Sequence, residues 1–176
     1  MTDPNSVLFA ATAFAARAHK NQLRKDGATP YAAHPFRVCL IVRHVFGIDD
    51  PKVLASALLH DTIEDTTTDY EDLLELFGAD VADWVSALTK EMRIPEVERE
   101  RMYCAVLSAA PWQARVCKLA DIYDNLTDSL TLDAKHRAKT IARSSAYLKI
   151  LEPGVGDEIE VAFRLTRERL EMVKAP

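Results

Sequence analysis

His60 and Asp61 stand next to each other directly after the apolar segment Ala57-Leu58-Leu59, and both side chains can bind a metal ion. Neighbouring residues on a helix point about 100° apart, so both can reach one ion lying against the side of the helix. An ion needs further ligands, and the remaining candidates lie elsewhere in the chain. His34 sits at the start of a second helix, and Asp121 interrupts the run Val116-Cys117-Lys118-Leu119-Ala120. A carboxylate beside such a stripe is costly to bury unless a cation compensates it. Two imidazoles and two carboxylates form a hard-to-borderline set that suits Mn²⁺, Fe²⁺ or Zn²⁺, with room left for water. Each of the four alone also reads as a helix-end hydrogen bond, a cap or a surface group; only the set points to a metal. On a continuing helix, Glu64 lies at i+4 from His60 and Asp65 at i+4 from Asp61, so all four would face one region. Such carboxylates repel one another unless a cation sits among them. With one present, Glu64 and Asp65 suit general acid–base work on a water acidified by the metal. The competing reading of this stretch is a solvated acidic turn between helices. His19, His44 and His136 read as surface or packing residues.

The elements that must carry these side chains are helical nearly throughout. Val7, Ala10, Ala11, Phe14 and Ala18 fall on one face of a first helix. After the break LRKDGATPYAAHP, the positions Val38, Ile41, Val42 and Val45 make a second apolar stripe, with Pro35 in its first turn. Asp50-Pro51 opens a third helix through Val53, Leu54, Ala57 and Leu58. The pattern Thr68 to Glu71 predicts a capping box, with a stop at Gly78. Val81, Trp84, Val85 and Leu88 mark the next stripe, and Pro95 and Pro111 open two more helices. Asp133 is placed to cap a helix over 134–150, and Asp157 a last one over 158–173. No period-two alternation long enough for a strand occurs, and no linker or repeat divides the chain.

Composition fits that reading. The 176 residues are 48% hydrophobic and 28% charged, which are ordinary values for one globular domain. The net charge of −5 argues against a broad nucleic-acid-binding surface. The first residues lack the basic-then-apolar order of a signal peptide, and no window reaches the roughly 18 apolar residues of a membrane span. Cys39, Cys104 and Cys117 form no C-x-x-C pair and lie among apolar neighbours, as buried free thiols in a reducing compartment would. The expected location is the cytoplasm.

The segment Leu58-Leu59-His60-Asp61-Thr62-Ile63-Glu64-Asp65-Thr66 resembles the central motif of the hydrolase domain of RelA/SpoT-type alarmone enzymes, within the HD phosphohydrolase superfamily. Arg24-Lys25-Asp26-Gly27, Pro30-Tyr31 and His34-Pro35 resemble its early segment, Phe77-Gly78 and Leu88-Thr89-Lys90 its middle, and Lys118-Leu119-Ala120-Asp121 with Asn125-Leu126 its late segment. The resemblance implies an all-α HD-domain helical bundle over 1–176, the C-terminal helix near 158–173 packing on it. It implies Mn²⁺ held by His34, His60, Asp61 and Asp121, with Glu64 and Asp65 positioning or activating the attacking water. Arg24 and Lys25 would contact guanine, and Asn125 the ribose. The implied reaction is hydrolysis of the 3′-pyrophosphate ester of (p)ppGpp to GDP or GTP and pyrophosphate, as in a small single-domain alarmone hydrolase of the stringent response.

The chain departs from the family where Thr127 replaces a usual arginine and where Ile122 follows Asp121 in place of a common basic residue. Two positive charges are thereby absent, which keeps open another phosphorylated nucleotide, such as NADPH, as substrate. A non-catalytic nucleotide-sensing or protein-binding module is a third reading, but it has no need to retain both Glu64 and Asp65. The expected partner is a small phosphorylated nucleotide, with neither nucleic acid nor membrane; the sequence does not set an oligomeric state.

Overall fold

The apolar stripes close into ten α-helices in the computed structural model, which describes residues 6–175. Residues 1–5 and 176, the ends of the expected 1–176 domain, lie outside the described residues. The helices are α1 (Ser6–Ala18), α2 (Ala33–Leu40), α3 (Pro51–Leu59), α4 (Thr62–Asp65), α5 (Tyr70–Phe77), α6 (Ala79–Leu88), α7 (Glu96–Ala109), α8 (Trp112–Ser129), α9 (Ala134–Leu151) and α10 (Glu160–Lys174). The architecture is all-α. No strand forms among the described residues; one isolated bridge, Leu23 to Pro30, pinches the loop between α1 and α2. No helix is long and apolar enough to cross a membrane.

Several start signals act as the residue types require. Asp50 accepts from the backbone N–H of Lys52 at 2.8 Å and of Val53 at 3.2 Å, with Pro51 opening α3. Asp133 accepts from the His136 N–H at 2.9 Å and opens α9. Three expectations are corrected. The capping box sits one residue later than Thr68–Glu71: Asp69 accepts from the Asp72 N–H at 2.9 Å, and the Asp72 side chain accepts from the Asp69 N–H at 3.1 Å. Thr68 is engaged instead with Thr66, whose hydroxyl donates to Thr68 Oγ1 at 2.9 Å and accepts the Thr68 N–H at 3.1 Å. The last helix begins at Glu160 after Ile159 and has no side-chain cap, so Asp157 lies in the preceding turn. The helix through His60 also does not continue: α3 stops at Leu59, and α4 starts at Thr62 after Asp61 adopts φ −102°, ψ −1°.

Two helices set the frame. In α3 every residue from Val53 to Leu59 is buried. Its Val53, Leu54 and Ala57 join the cluster built around α8, while Ala55, Leu58 and Leu59 join a second cluster with α1, α5 and α6. A fully buried Val or Leu contributes roughly 1.5–3 kcal/mol relative to an exposed one, so α3 is pinned from all sides and its C-terminal end is carried into the interior. Helix α8 packs against α2, α3, α6, α9 and α10. It buries Val116, Cys117, Leu119, Ala120, Ile122 and Leu126, yet Asp121 and Asp124 are buried on it too. The C-terminal helix α10 packs on α8 and α9. Of the cysteines, Cys117 is buried, whereas Cys39 and Cys104 are only half-buried; all three are free thiols.

Candidate metal centre and cleft

The polar residues of α2, α3 and α8 are directed at one point where the three helices meet. His34, at the start of α2, is 1% exposed, and His60, the residue that ends α3, is 3% exposed. The His60 Nδ1–H donates to the Ala57 carbonyl at 2.8 Å. That bond leaves the lone pair on Nε2, which is buried and has no hydrogen-bond partner. His34 Nδ1 lies 2.7 Å from Asp124 Oδ2, so the donor role falls to the ring nitrogen and Nε2 again faces the centre. His34 Nε2 is 3.2 Å from Asp121 Oδ1 and 3.5 Å from Asp61 Oδ2, and His60 Nε2 is 3.1 Å from Asp61 Oδ2. One donor atom each from His34, His60 and Asp121 falls within 4.8 Å of the others.

This arrangement fits a divalent cation. An imidazole nitrogen buried without a hydrogen bond, as His60 Nε2 is, costs free energy, and two imidazole nitrogens beside two carboxylates are what a borderline cation takes as ligands. Asp61, which the sequence reading includes in the set, stands at this point as well, its Oδ2 also accepting from the Tyr31 hydroxyl at 2.6 Å.

The metal-free electrostatics show the same strain. Burial alone would lower the pKa of His34, but Asp121, Asp124 and Asp61 outweigh it and push the ring up to about 10. Burial would raise Asp61, but the imidazoles of His60 and His34 hold it well below the usual carboxylate range. Asp121 is likewise held down against burial, chiefly by Lys118, whose Nζ is 2.7 Å from Asp121 Oδ2.

Glu64 and Asp65 sit on α4 at the margin of this centre. The Glu64 carboxylate accepts from the Lys90 backbone N–H at 2.9 Å. Asp65 accepts from the Tyr31 hydroxyl at 2.9 Å, so one tyrosine ties Asp65 to Asp61. Burial first, then backbone donation from Lys90 opposed by the charge of Asp61, leaves Glu64 above its ordinary pKa; burial and Asp61 raise Asp65. A carboxyl raised in this way is a stronger base than an ordinary carboxylate, the direction that favours taking a proton from water.

The centre opens into a cleft of about 500 Å³. Arg24, Lys25 and Asn125 line it, as the sequence reading requires, but Arg24 is not free. Its guanidinium donates to Asp128 at 2.7 and 3.0 Å and to Asn125 at 3.1 Å. Asn125 in turn donates to Asp121. Arg24 and Asn125 thus form a braced edge between α8 and the loop before α2.

One part of the lining is a helix face that the sequence reading did not find. Lys139 and Arg143 of α9, with Tyr147 further along the helix, line the cleft, and His136, read as a surface or packing residue, lines it too. The spacing 136, 139, 143, 147 is the one signal that could have shown this face. Among the described residues, Lys25, Lys139 and Arg143 form no ion pair, so their charge is available to a ligand. Lys25 is lowered from its ordinary pKa by burial and by the charges of Arg24, Arg143 and Lys139, the signature of a local positive field. Of the two positions where the family usually carries a positive charge, Thr127 is exposed, donating to the Tyr123 carbonyl at 2.9 Å, and is not among the residues of the cleft. Ile122 lines the cleft but is buried at 3% exposure. Lys90 and Lys118, quoted only as motif residues, also line it, stacked over Tyr103 and Tyr147 at 4.9–5.3 Å from the ring centres. His19 is a packing residue, buried and stacked on Tyr31 with 4.7 Å between ring centres. Gln22, bonded to His19 at 2.8 Å, donates to the Asp65 carbonyl at 2.7 Å and so steadies the same corner.

Known proteins are similar to this chain. The model of the HD domain matches residues 11–146. The guanosine-3′,5′-bis(diphosphate) 3′-pyrophosphohydrolase MESH1 of Danio rerio is 44% identical over 124 residues, 70% of this chain and 69% of that protein. The Homo sapiens protein of the same name is 43% identical over 122 residues, covering 69% and 68% of the two chains. A solved structure described as a metazoan ortholog of SpoT that hydrolyzes ppGpp superposes with a TM-score of 0.82 at 30% identity, covering 96% of this chain and 98% of that one.

Proposed function

The chain belongs to the HD domain family, and from that premise we propose that it is a metal-dependent 3′-pyrophosphohydrolase of guanosine 3′,5′-bis(diphosphate) and its 5′-triphosphate analogue. The observation that carries this reading is the polarity of one cleft. Lone pairs of His34, His60, Asp61 and Asp121 converge at one point of its lining, and the unpaired cations Lys25, Lys139 and Arg143 line the same cleft. A substrate with phosphates on two sides of its ribose can use both sets at once.

In this mechanism His34, His60, Asp61 and Asp121 would hold a divalent cation, for which Mn²⁺ is the proposed identity. When bound, such an ion lowers the pKa of water and offsets charge on phosphoryl oxygens. Glu64 and Asp65 orient the attacking water and take its proton, and the Tyr31 hydroxyl holds Asp65 in register with Asp61. Water adds its oxygen to the 3′-phosphorus, the bond to the ribose 3′-oxygen breaks, and that oxygen receives a proton, giving GDP or GTP and pyrophosphate. Arg24, braced by Asp128, presents a flat guanidinium to the purine, with Lys25 beside it. Asn125 contacts the ribose, and Lys139 and Arg143 receive the 5′-phosphates.

The test is product identification with purified protein and Mn²⁺, using ppGpp, pppGpp, NADPH and common nucleotides. GDP and pyrophosphate from ppGpp are expected. Orthophosphate alone, or rapid attack on NADPH with ppGpp untouched, would reject the alarmone substrate and leave a phosphohydrolase of another nucleotide. No turnover of any nucleotide would favour a sensing module.

A further inference from the structure

Helices α2 and α8 face each other with two matched pairs at i, i+3: His34 and Arg37 on α2, Asp121 and Asp124 on α8. Asp121 points its Oδ1 at the metal-facing side of His34, 3.2 Å from Nε2. Asp124 meets the other side of the same ring, with Oδ2 2.7 Å from Nδ1. Arg37 then closes on Asp124, its Nε donating to Oδ1 at 2.6 Å and its Nη2 to Oδ2 at 2.9 Å, while Nη2 also lies 2.8 Å from Asp128 Oδ2.

Asp124 is 2% exposed on α8, one turn after Asp121 and one turn before Asp128. A buried ion pair of this kind adds little stability over an apolar pair of the same volume, so packing does not explain it. Its geometry does have a consequence. Both Asp124 oxygens accept from Arg37, and one of them also faces His34 Nδ1. A carboxylate can only accept, so Nδ1 carries the proton and Nε2 is left to the ion.

We propose that Asp124 is the positioning residue of the metal centre, fixing the ring orientation and tautomer of His34, and that Arg37 locks Asp124 in place. The inference rests on the metal-dependent reading above but does not depend on the substrate. Carboxylate support of a ligating histidine generally changes metal affinity by 10–100-fold when it is removed.

The test is a Mn²⁺ titration of the chelator-treated full chain, with free Mn²⁺ followed by electron paramagnetic resonance and the melting of the metal-free protein recorded in parallel. Asp124→Ala is expected to weaken Mn²⁺ binding about 10–100-fold. Asp124→Asn should fall between Ala and wild type, because its amide oxygen can still accept from Nδ1–H while its NH₂ meets the Arg37 donors. Arg37→Gln, partly exposed and tolerant, serves if Asp124→Ala fails to fold, and should weaken binding several-fold with the metal-free helical signal unchanged. Wild-type Mn²⁺ affinity in Asp124→Asn and Arg37→Gln, even with lowered melting temperatures, would reduce Asp124 to a structural residue and overturn the proposal. Absence of Mn²⁺ binding by the wild type is a different result, which would overturn the metal reading itself.

Discussion

Replacing Glu64 with glutamine separates water activation from every other role of that residue. The side chain keeps its volume, and the amide oxygen can still accept the Lys90 N–H that Glu64 accepts at 2.9 Å, so folding should be preserved. What disappears is a base whose pKa burial has raised above the ordinary 4.5. General acid–base groups contribute about 10²–10⁴-fold, and at 1.36 kcal/mol per tenfold the lost transition-state stabilisation is about 2.7–5.5 kcal/mol. The assay is kcat/KM for pyrophosphate release from ppGpp at saturating Mn²⁺, over a pH series, with Mn²⁺ affinity measured separately. The base works when deprotonated, so the wild-type rate should fall as pH drops through its raised pKa, and the glutamine variant should lack that limb. A rate within about fivefold of wild type, well short of the usual acid–base contribution, would refute the base assignment. So would a large loss of Mn²⁺ affinity, which would make Glu64 a ligand.

The pH dependence of metal binding follows from His34, which stands at about 10 in the metal-free protein against an ordinary 6.5. Its proton stabilises the metal-free fold fully below pH 6.5, and that contribution is lost as pH rises through about 10. Mn²⁺ must displace this proton, so Mn²⁺ affinity should rise by at least about tenfold per pH unit below that value, and more steeply where His60, also raised, is protonated. A dissociation constant flat across the window would show that His34 is not a ligand. On α9, Lys139→Ala and Arg143→Ala should each lower kcat/KM for ppGpp by about tenfold, the lower end for a charge-assisted bond at an exposed site, with Mn²⁺ binding unchanged. Unaltered kinetics and salt dependence in the double variant would remove α9 from phosphate recognition.

Local chemistry made much of this protein legible from its residues alone. Period-3.6 stripes, Pro51, Pro95 and Pro111 as openers and Asp133 as a cap follow from backbone sterics and hydrogen bonding within a few residues. They therefore located the helices without reference to the rest of the chain. The adjacency of His60 and Asp61, with Asp121 set in an apolar run, similarly announced a centre because a buried carboxylate demands a cation. The exceptions at this level were shifts of a residue or a few: the box at Asp69 rather than Thr68, and the start of α10 after Ile159. Short polar runs offer several equivalent cap donors, and tertiary packing selects among them.

What only the folded molecule decided were relations between helices. Arg37 and Asp124 are unremarkable in sequence, separated by 87 positions. They matter because α2 packs on α8 with both pairs in step, which depends on which faces the surrounding core leaves free. The same holds for Lys139 and Arg143, which read as a solvated helix face until α9 is laid along the cleft. An electrostatic field sums over positions in space and takes no account of their order in the chain, so only the fold shows that these charges act on the same cleft as Lys25.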